Sequence, residues 1–210
     1  MERYLAGVGT VHAAAPYRGP IRRAVITYKE RGRRELVAPL AVLLAHAVDR
    51  TAVSSAALPN AARAHWRPPV HLVPVPSSRR ARGERGFDHL RLLADTTAAA
   101  MDARTWPLLS VARTVEDTAG LGVRERRQNL AGAFVARRRR AGEPPEVMIV
   151  DDVITTGASV REAARALHAA GWRVAAVAVV AATPRRCGPR RATPAAGLAD
   201  PALAARTGRR

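Results

Sequence analysis

The chain has 210 residues, 48% of them apolar and only 4% aromatic, with a formal charge of +18. That length holds one α/β domain with extensions, and its core must come from helix and sheet packing of small and branched side chains. A single cysteine, Cys187, excludes an intramolecular disulfide and a multi-cysteine zinc site. No basic-then-apolar signal pattern opens the chain, and its longest apolar run, Val174 to Ala182, is far too short to span a bilayer, so a cytoplasmic protein without membrane insertion is expected.

Lys29 is the only lysine, and all other basic residues apart from histidine are arginines. The sequence pI is about 11.7. Such a balance favours polyanionic partners: nucleotides, pyrophosphate or nucleic acid. A coding bias toward Arg and Ala, with charge gathered in surface runs such as Arg137 to Arg140, accounts for the same numbers.

Val11 to Tyr17 is compatible with an edge strand or an extended lead-in. Ile21, Val25 and Tyr28 recur at helical spacing, which predicts a short helix over Ile21 to Glu30. Lys29 follows, then Gly32. A second helix is expected from about Arg34 to Asp49, with Leu36, Leu40, Leu43, Leu44 and Ala47 facing inward and Pro39 in its first turns, where proline costs least. Lys29, at the head of this pair, is a candidate phosphate contact, with a solvated lysine as the plainer reading.

Residues 51 to 69 lack periodicity and read as a loop with at most one helical turn. Val70 to Pro76 is the next predicted strand. His71 within it has no acid, His or Cys at metal-ligand spacing and reads as a strand residue. Ser77 to Phe87 then supplies five small residues and four arginines before a helix whose inward face carries Phe87, Leu90, Ala94 and Ala98. A short basic loop at a strand's C-terminal edge suits a pyrophosphate, because arginine makes paired hydrogen bonds to phosphate oxygens. Ser77, Ser78, Arg79 and Arg85 are the candidates there. A solvated basic loop is the alternative.

Trp106 to Val111 is compatible with a strand, Glu116 to Gly122 with a Gly-containing turn, and Val123 to Leu130 with a short helix rich in arginine. The insertion over 105 to 135 reads as a flap, and Arg137 to Glu143 as a basic linker back to the sheet.

The most informative stretch is Val147 to Ser159. Four apolar residues, Val147 to Val150, read as a buried strand ended by Asp151 and Asp152. Thr155, Thr156, Gly157, Ala158 and Ser159 follow, then a helix with Val160, Ala164 and Leu167 on one face and Gly171 as its stop. A helix N-terminus with hydroxyl donors holds a phosphate, and Gly157 lets the backbone approach it. The two carboxylates repel phosphate but accept hydrogen bonds from sugar hydroxyls, or help hold a Mg²⁺ that carries other phosphates. The implied ligand is a sugar with a phosphate at one end and vicinal hydroxyls nearby. An ordinary β–α turn with two solvated acids is the bland alternative. Arg173 to Ala182 is a further buried strand, and a basic disordered tail is expected from Thr183 onward.

The stretch from Val147 to Ser159 resembles the phosphoribosyl pyrophosphate (PRPP) motif of type I phosphoribosyltransferases. Further segments resemble the ComF family, phosphoribosyltransferase-like proteins linked to DNA uptake (competence). They are Tyr28 to Gly32, Val73 to Pro76, Arg85 to Asp88, Ala119 to Leu121, Arg126, Asn129 and Gly132 to Phe134, in order over roughly residues 11 to 182. Asp88 stands where that family usually has Asn, and Thr118 where it usually has Gln. Its frequent N-terminal four-cysteine zinc module has no counterpart here, as in a shortened member or an incomplete start.

The resemblance implies a three-layer α/β fold with a mainly parallel central sheet. The expected organisation is an N-terminal helical segment at 1–68, a core at 69–182 and the tail at 183–210. It implies PRPP and a nucleobase-like acceptor as substrates and Mg²⁺ as cofactor, with Asp151 and Asp152 at the ribose and, indirectly, the metal. Thr155 to Ser159 would hold the 5′-phosphate, and Ser77, Ser78, Arg79, Arg85 and Lys29 the pyrophosphate. A non-catalytic PRPP- or nucleotide-binding accessory protein in DNA uptake is the second reading. Nucleic acid or competence proteins on the basic surface, and a homodimer, are compatible with either.

Overall fold

The computed structural model describes residues 2–56, 69–77, 82–83, 85–113, 129–143 and 146–184. It is an α/β structure built on a mostly parallel sheet. In chain order the elements are β1 (Glu2–Leu5), β2 (Gly9–Pro16), α1 (Gly19–Arg31), α2 (Val37–Ala56), β3 (Val70–Pro74), α3 (His89–Ala99), β4 (Ala103–Thr105), β5 (Leu109–Val111), β6 (Phe134–Ala136), β7 (Glu146–Ile154), α4 (Ala158–Ala169) and β8 (Arg173–Ala182). Six strands form the main sheet in the order β1-β2-β8-β7-β3-β4, and β5 and β6 form a separate antiparallel pair.

The apolar strand β7 lies at the centre. Val147, Met148, Ile149 and Val150 are buried, and the strand pairs in parallel with β8 on one side and β3 on the other. It runs further than its apolar residues suggest. Asp151 pairs with Val179 and Ile154 with Ala182, so the ladder to β8 carries the strand past both acids. Asp151 and Asp152 therefore lie inside the strand, where the sequence pattern had them ending it.

Two crossovers leave the centre in opposite directions. From β3 the chain passes through α3 to β4, away from β7; from β7 it passes through α4 to β8, away from β3. Right-handed connections then put α3 and α4 on opposite faces. The gap between the C-terminal ends of β3 and β7 is the topological switch point, the crevice where open α/β sheets place ligands.

The remaining elements cover this frame. Strand β2 is interior, flanked by the antiparallel β1 and the parallel β8, and the short hairpin β1–β2 was not anticipated. Helix α1 buries Val25 and Tyr28 and stops at Gly32, whose φ of 66° is the left-handed cap that closes a helix without strain. A single 3-10 turn over Arg34–Leu36 precedes α2, which extends to Ala56 and so beyond the expected end at Asp49. Leu40, Leu44 and Ala47 of α2 are buried. The expected turn and helix over 116–128, the tail beyond 184 and Cys187 lie outside the described residues.

Candidate active site

The site is built from the C-terminal ends of β3 and β7. Their pairing, Leu72 with Met148 and Pro74 with Val150, sets the two ends side by side. The ladder continues one step, with the Val75 amide donating to the Val150 carbonyl at 3.1 Å. Prolines at 74 and 76 lack amide protons, so the strand cannot extend far and the chain turns out into the basic loop.

Asp151 and Asp152 are nearly inaccessible, 7% and 3% exposed. Successive strand residues point to opposite faces. Asp152 turns toward α1 and α3: its Oδ2 lies 3.2 Å from Lys29 Nζ and 3.4 Å from His89 Nε2. Its Oδ1 accepts from the Val153 amide at 2.7 Å, while Asp151 Oδ1 accepts from the Asp152 amide at 2.8 Å.

Burial by itself would raise the proton affinity of both acids. For Asp152 it is outweighed by the Lys29 ammonium and the His89 N–H, which hold its carboxyl well below the usual range. For Asp151 burial dominates, the neighbouring Asp152 charge adds to it, and Lys29 offsets only part, so its carboxyl is raised. The two acids are thus pushed in opposite directions, with ionisation favoured at Asp152 over Asp151. Lys29 is in turn held charged by Asp152, against the effect of burial. The lysine that sequence alone left as a plausible surface residue is an ion-pair partner of the second acid.

The loop after β7 leads into α4. Gly157 takes φ 77° immediately before the helix, and a Cβ there would meet Leu5 Cδ2 at 3.0 Å. The position therefore demands glycine twice over, by conformation and by the close approach of the β1 end. The Ala158 amide is met by Thr156 Oγ1 at 3.3 Å. Arg161, one turn into α4, folds its guanidinium back to the Thr156 carbonyl at 3.1 Å. Thr155 is exposed, Thr156 and Ser159 are half-buried, and Gly157 and Ala158 are buried.

On the β3 side, Ser77 is buried and its Oγ lies 3.3 Å from His89 Nδ1 and 3.4 Å from Asp88 Oδ1. Arg85 reaches the same His89 Nδ1. Ser78 and Arg79 lie outside the described residues. Asp88 caps α3 by accepting from the Arg91 amide at 3.2 Å. A cleft of about 320 Å³ opens beside Ser77, walled by Pro74 to Ser77, Arg82, Asp88, Arg91 and the start of the β5–β6 arm. The acids do not line it; Ser77, which does, lies 3.3 Å from the Nδ1 of His89, whose other ring nitrogen lies 3.4 Å from Asp152 Oδ2.

His89 was not anticipated. Reading α3 by its apolar positions singled out Phe87, Leu90, Ala94 and Ala98, but the buried face carries His89, Leu90, Leu93, Ala94 and Thr97. The available signal was a histidine directly after an N-capping Asp, at the end of a basic loop. Arg161 and Glu162 were missed as well. Glu162 is buried and accepts from the Phe134 amide at 3.2 Å and from Arg165, which docks β6 on the helix that follows the acid pair.

Among the described residues no three His, Cys, Asp or Glu side chains converge as a metal site. No helix among them is long and apolar enough to cross a membrane. No curated protein matches the chain. Residues 114–202 match the family model of the phosphoribosyl transferase domain, a span that contains β7, both acids, the hydroxyl loop and α4. Together with the mostly parallel α/β sheet, this match supports a type I phosphoribosyltransferase-like protein.

Proposed function

We propose that the protein binds PRPP with Mg²⁺ and transfers the phosphoribosyl group to a nitrogenous base, releasing pyrophosphate, as a ComF-like phosphoribosyltransferase. One observation carries the reading: the acid pair near the C-terminal end of β7, with the hydroxyl loop that follows, and Ser77 and Arg85 beyond β3 lie about the switch point between these two paired strands. A ligand with a sugar in its middle, one phosphate at one end and two at the other needs such a divided seat.

In this reading Thr155 to Ser159 and the first amides of α4 hold the 5′-phosphate, with Arg161 beside them. Asp151 meets the ribose hydroxyls first, because Asp152 already answers to Lys29 and His89. Ser77 and Arg85, with Ser78 and Arg79 in the same loop, receive the pyrophosphate. Among the described residues no third metal-binding group converges on the two carboxylates, which suits a divalent ion that arrives on substrate phosphates, since Mg²⁺ keeps waters and takes few protein groups. Such an ion, when bound, would neutralise charge on the departing pyrophosphate. The chain's own part is to hold C1 of the ribose, orient the entering nitrogen and stabilise the leaving group with fixed donors.

The test is calorimetric titration of PRPP with Mg²⁺ into the wild type and into the Asp151→Asn/Asp152→Asn variant. Binding lost in the variant, followed by pyrophosphate release with a purine or pyrimidine acceptor, is the expected result. Binding without turnover on any base would favour the accessory-protein reading, a PRPP or nucleotide sensor in DNA uptake. No binding to folded wild type would overturn both.

A further inference from the structure

Helix α1 bridges the ends of the strands. Just before it, the Tyr17 amide donates to the Ala182 carbonyl at the end of β8 at 2.8 Å, and near its other end Lys29 reaches Asp152 of β7 at 3.2 Å. Arg22, Ile26 and Lys29 recur at the i, i+4, i+7 spacing of one helical face, with Arg22 about 10 Å back along the axis from Lys29. This row turns away from the core. Val25 and Tyr28 are buried and Ile21 and Ala24 pack on the core, whereas Ile26 is half-buried without packing there and Arg22 is exposed. Arg22 enters no ion pair among the described residues, and the first turn of α1 holds no acid, although a cation near a helix start opposes the dipole. What the row faces follows from strand order, since β3, β7, β8 and β2 lie side by side in that sequence. In the transferase reading the pyrophosphate lies beyond β3 and the ribose at β7. At C1 the bond to the pyrophosphate oxygen breaks with its electron pair, and the lone pair of the entering nitrogen forms the new bond from the opposite side. The acceptor then lies away from β3, over the ends of β8 and β2, alongside α1.

We propose that the row Arg22, Ile26 and Lys29 is the acceptor wall of the site, and that the acceptor is a planar nitrogen base bearing a carboxylate, which Arg22 reads. The proposal rests on the transferase reading and names the class of its second substrate. Ile26 gives the ring an apolar surface to lie on. Arg22 offers paired donors of the shape a carboxylate accepts. Lys29, at the near end of the row, is paired with Asp152 and offsets its charge, so an anion lying alongside is not driven off by the acid. A carboxamide in the same place answers a guanidinium with one acceptor in place of two, and turns donors toward donors.

The test is pyrophosphate release from PRPP and Mg²⁺ with matched bases, nicotinate against nicotinamide and orotate against uracil, in wild type, Arg22→Gln and Arg23→Gln. Wild type should favour the acid of at least one pair by about tenfold in kcat/KM, the worth of one charge-assisted contact. Arg22→Gln should lower that preference about tenfold, through the KM of the acid. Arg23→Gln removes the same charge about 100° round the helix and should keep the preference within about twofold. A preference for the neutral bases, equal losses in the two variants, or a matching rise in the Kd for PRPP in Arg22→Gln overturns the proposal alone. If PRPP binds and no base reacts, calorimetric titration of nicotinate and orotate into PRPP-saturated protein decides. Binding weakened about tenfold by Arg22→Gln supports the wall, and no binding overturns it. Absence of PRPP binding to folded wild type overturns the transferase reading, and this proposal with it.

Discussion

Lys29 Nζ lies 3.2 Å from Asp152 Oδ2, so the chain's one lysine, at the end of α1, closes onto the second acid of the central strand. The lysine side chain is 43% exposed and the acid 5%, which makes the contact a half-buried pair: solvent screens one partner and not the other. Helix α1 is thereby tied electrostatically to the C-terminal part of the central strand β7.

Lys29→Met tests that tie. Exposure of the lysine limits the loss at neutral pH to about 1 kcal/mol. The acid side is more telling. Asp152 is depressed in the folded protein, so its contribution is present above the ordinary Asp value of about 4 and is lost as pH falls below it. Wild type should therefore lose stability below that pH more steeply than Lys29→Met. Urea midpoints at pH 7 and pH 3 give the comparison, and equal slopes would show that Lys29 does not govern Asp152.

Asp151 works in the opposite direction. Its folded value is raised, so it costs nothing below the ordinary Asp value and subtracts stability as pH rises above it, until the folded group ionises. Asp151→Asn should match wild type near pH 4 and be more stable at pH 7, the gap growing by at most about 1.4 kcal/mol per pH unit. The same substitution should abolish PRPP binding. Thermal melts from pH 4 to 8 check the first part; a variant less stable than wild type at every pH would refute the upward push on the Asp151 carboxyl.

Glu162 anchors the β5–β6 arm to α4. Burial would raise its carboxyl, but Arg165 and the Phe134 amide more than offset that and hold it lowered. Glu162→Ala strips the buried Phe134 amide of its acceptor and should cost about 2–3 kcal/mol. Hydrogen exchange at Phe134 should speed up well beyond that at Val150 in the sheet centre. Protection of Phe134 equal to wild type would mean that its pairing with Val111 suffices.

Gly157→Ala should cost about 1–2 kcal/mol from the left-handed backbone, plus whatever Leu5 must give at 3.0 Å. A second change, Leu5→Ala, separates the two causes in urea denaturation. Relative to Leu5→Ala alone, the glycine substitution should then cost only the backbone part. An unchanged cost would show that the Leu5 contact contributes nothing.

Local order was largely legible in the residues. The periodicity of Ile21, Val25 and Tyr28 marks α1, the run Val147 to Val150 marks the central strand, and the boundaries of β8 follow from its Val and Ala content. The turn from Thr155 to Ser159 into α4 was legible too, because its signals are local: small hydroxyl side chains, a glycine and the helix that follows it. The short strands β1 and β4 were not, since each is too brief to show a period and exists only by pairing with a neighbour.

What the sequence by itself determined, then, is the set of elements whose pattern is self-contained and the kinds of group at the two loops. What only the tertiary structure decided is which groups meet. Lys29, His89 and Asp152 come from three separate elements, and nothing in their spacing predicts a shared carboxylate oxygen. The opposite directions in which the two acids are pushed, Asp152 down and Asp151 up, are likewise set by tertiary contacts. Adjacent residues on a strand face opposite sides of the sheet, and only the layers packed there determine which of two identical side chains finds a cation.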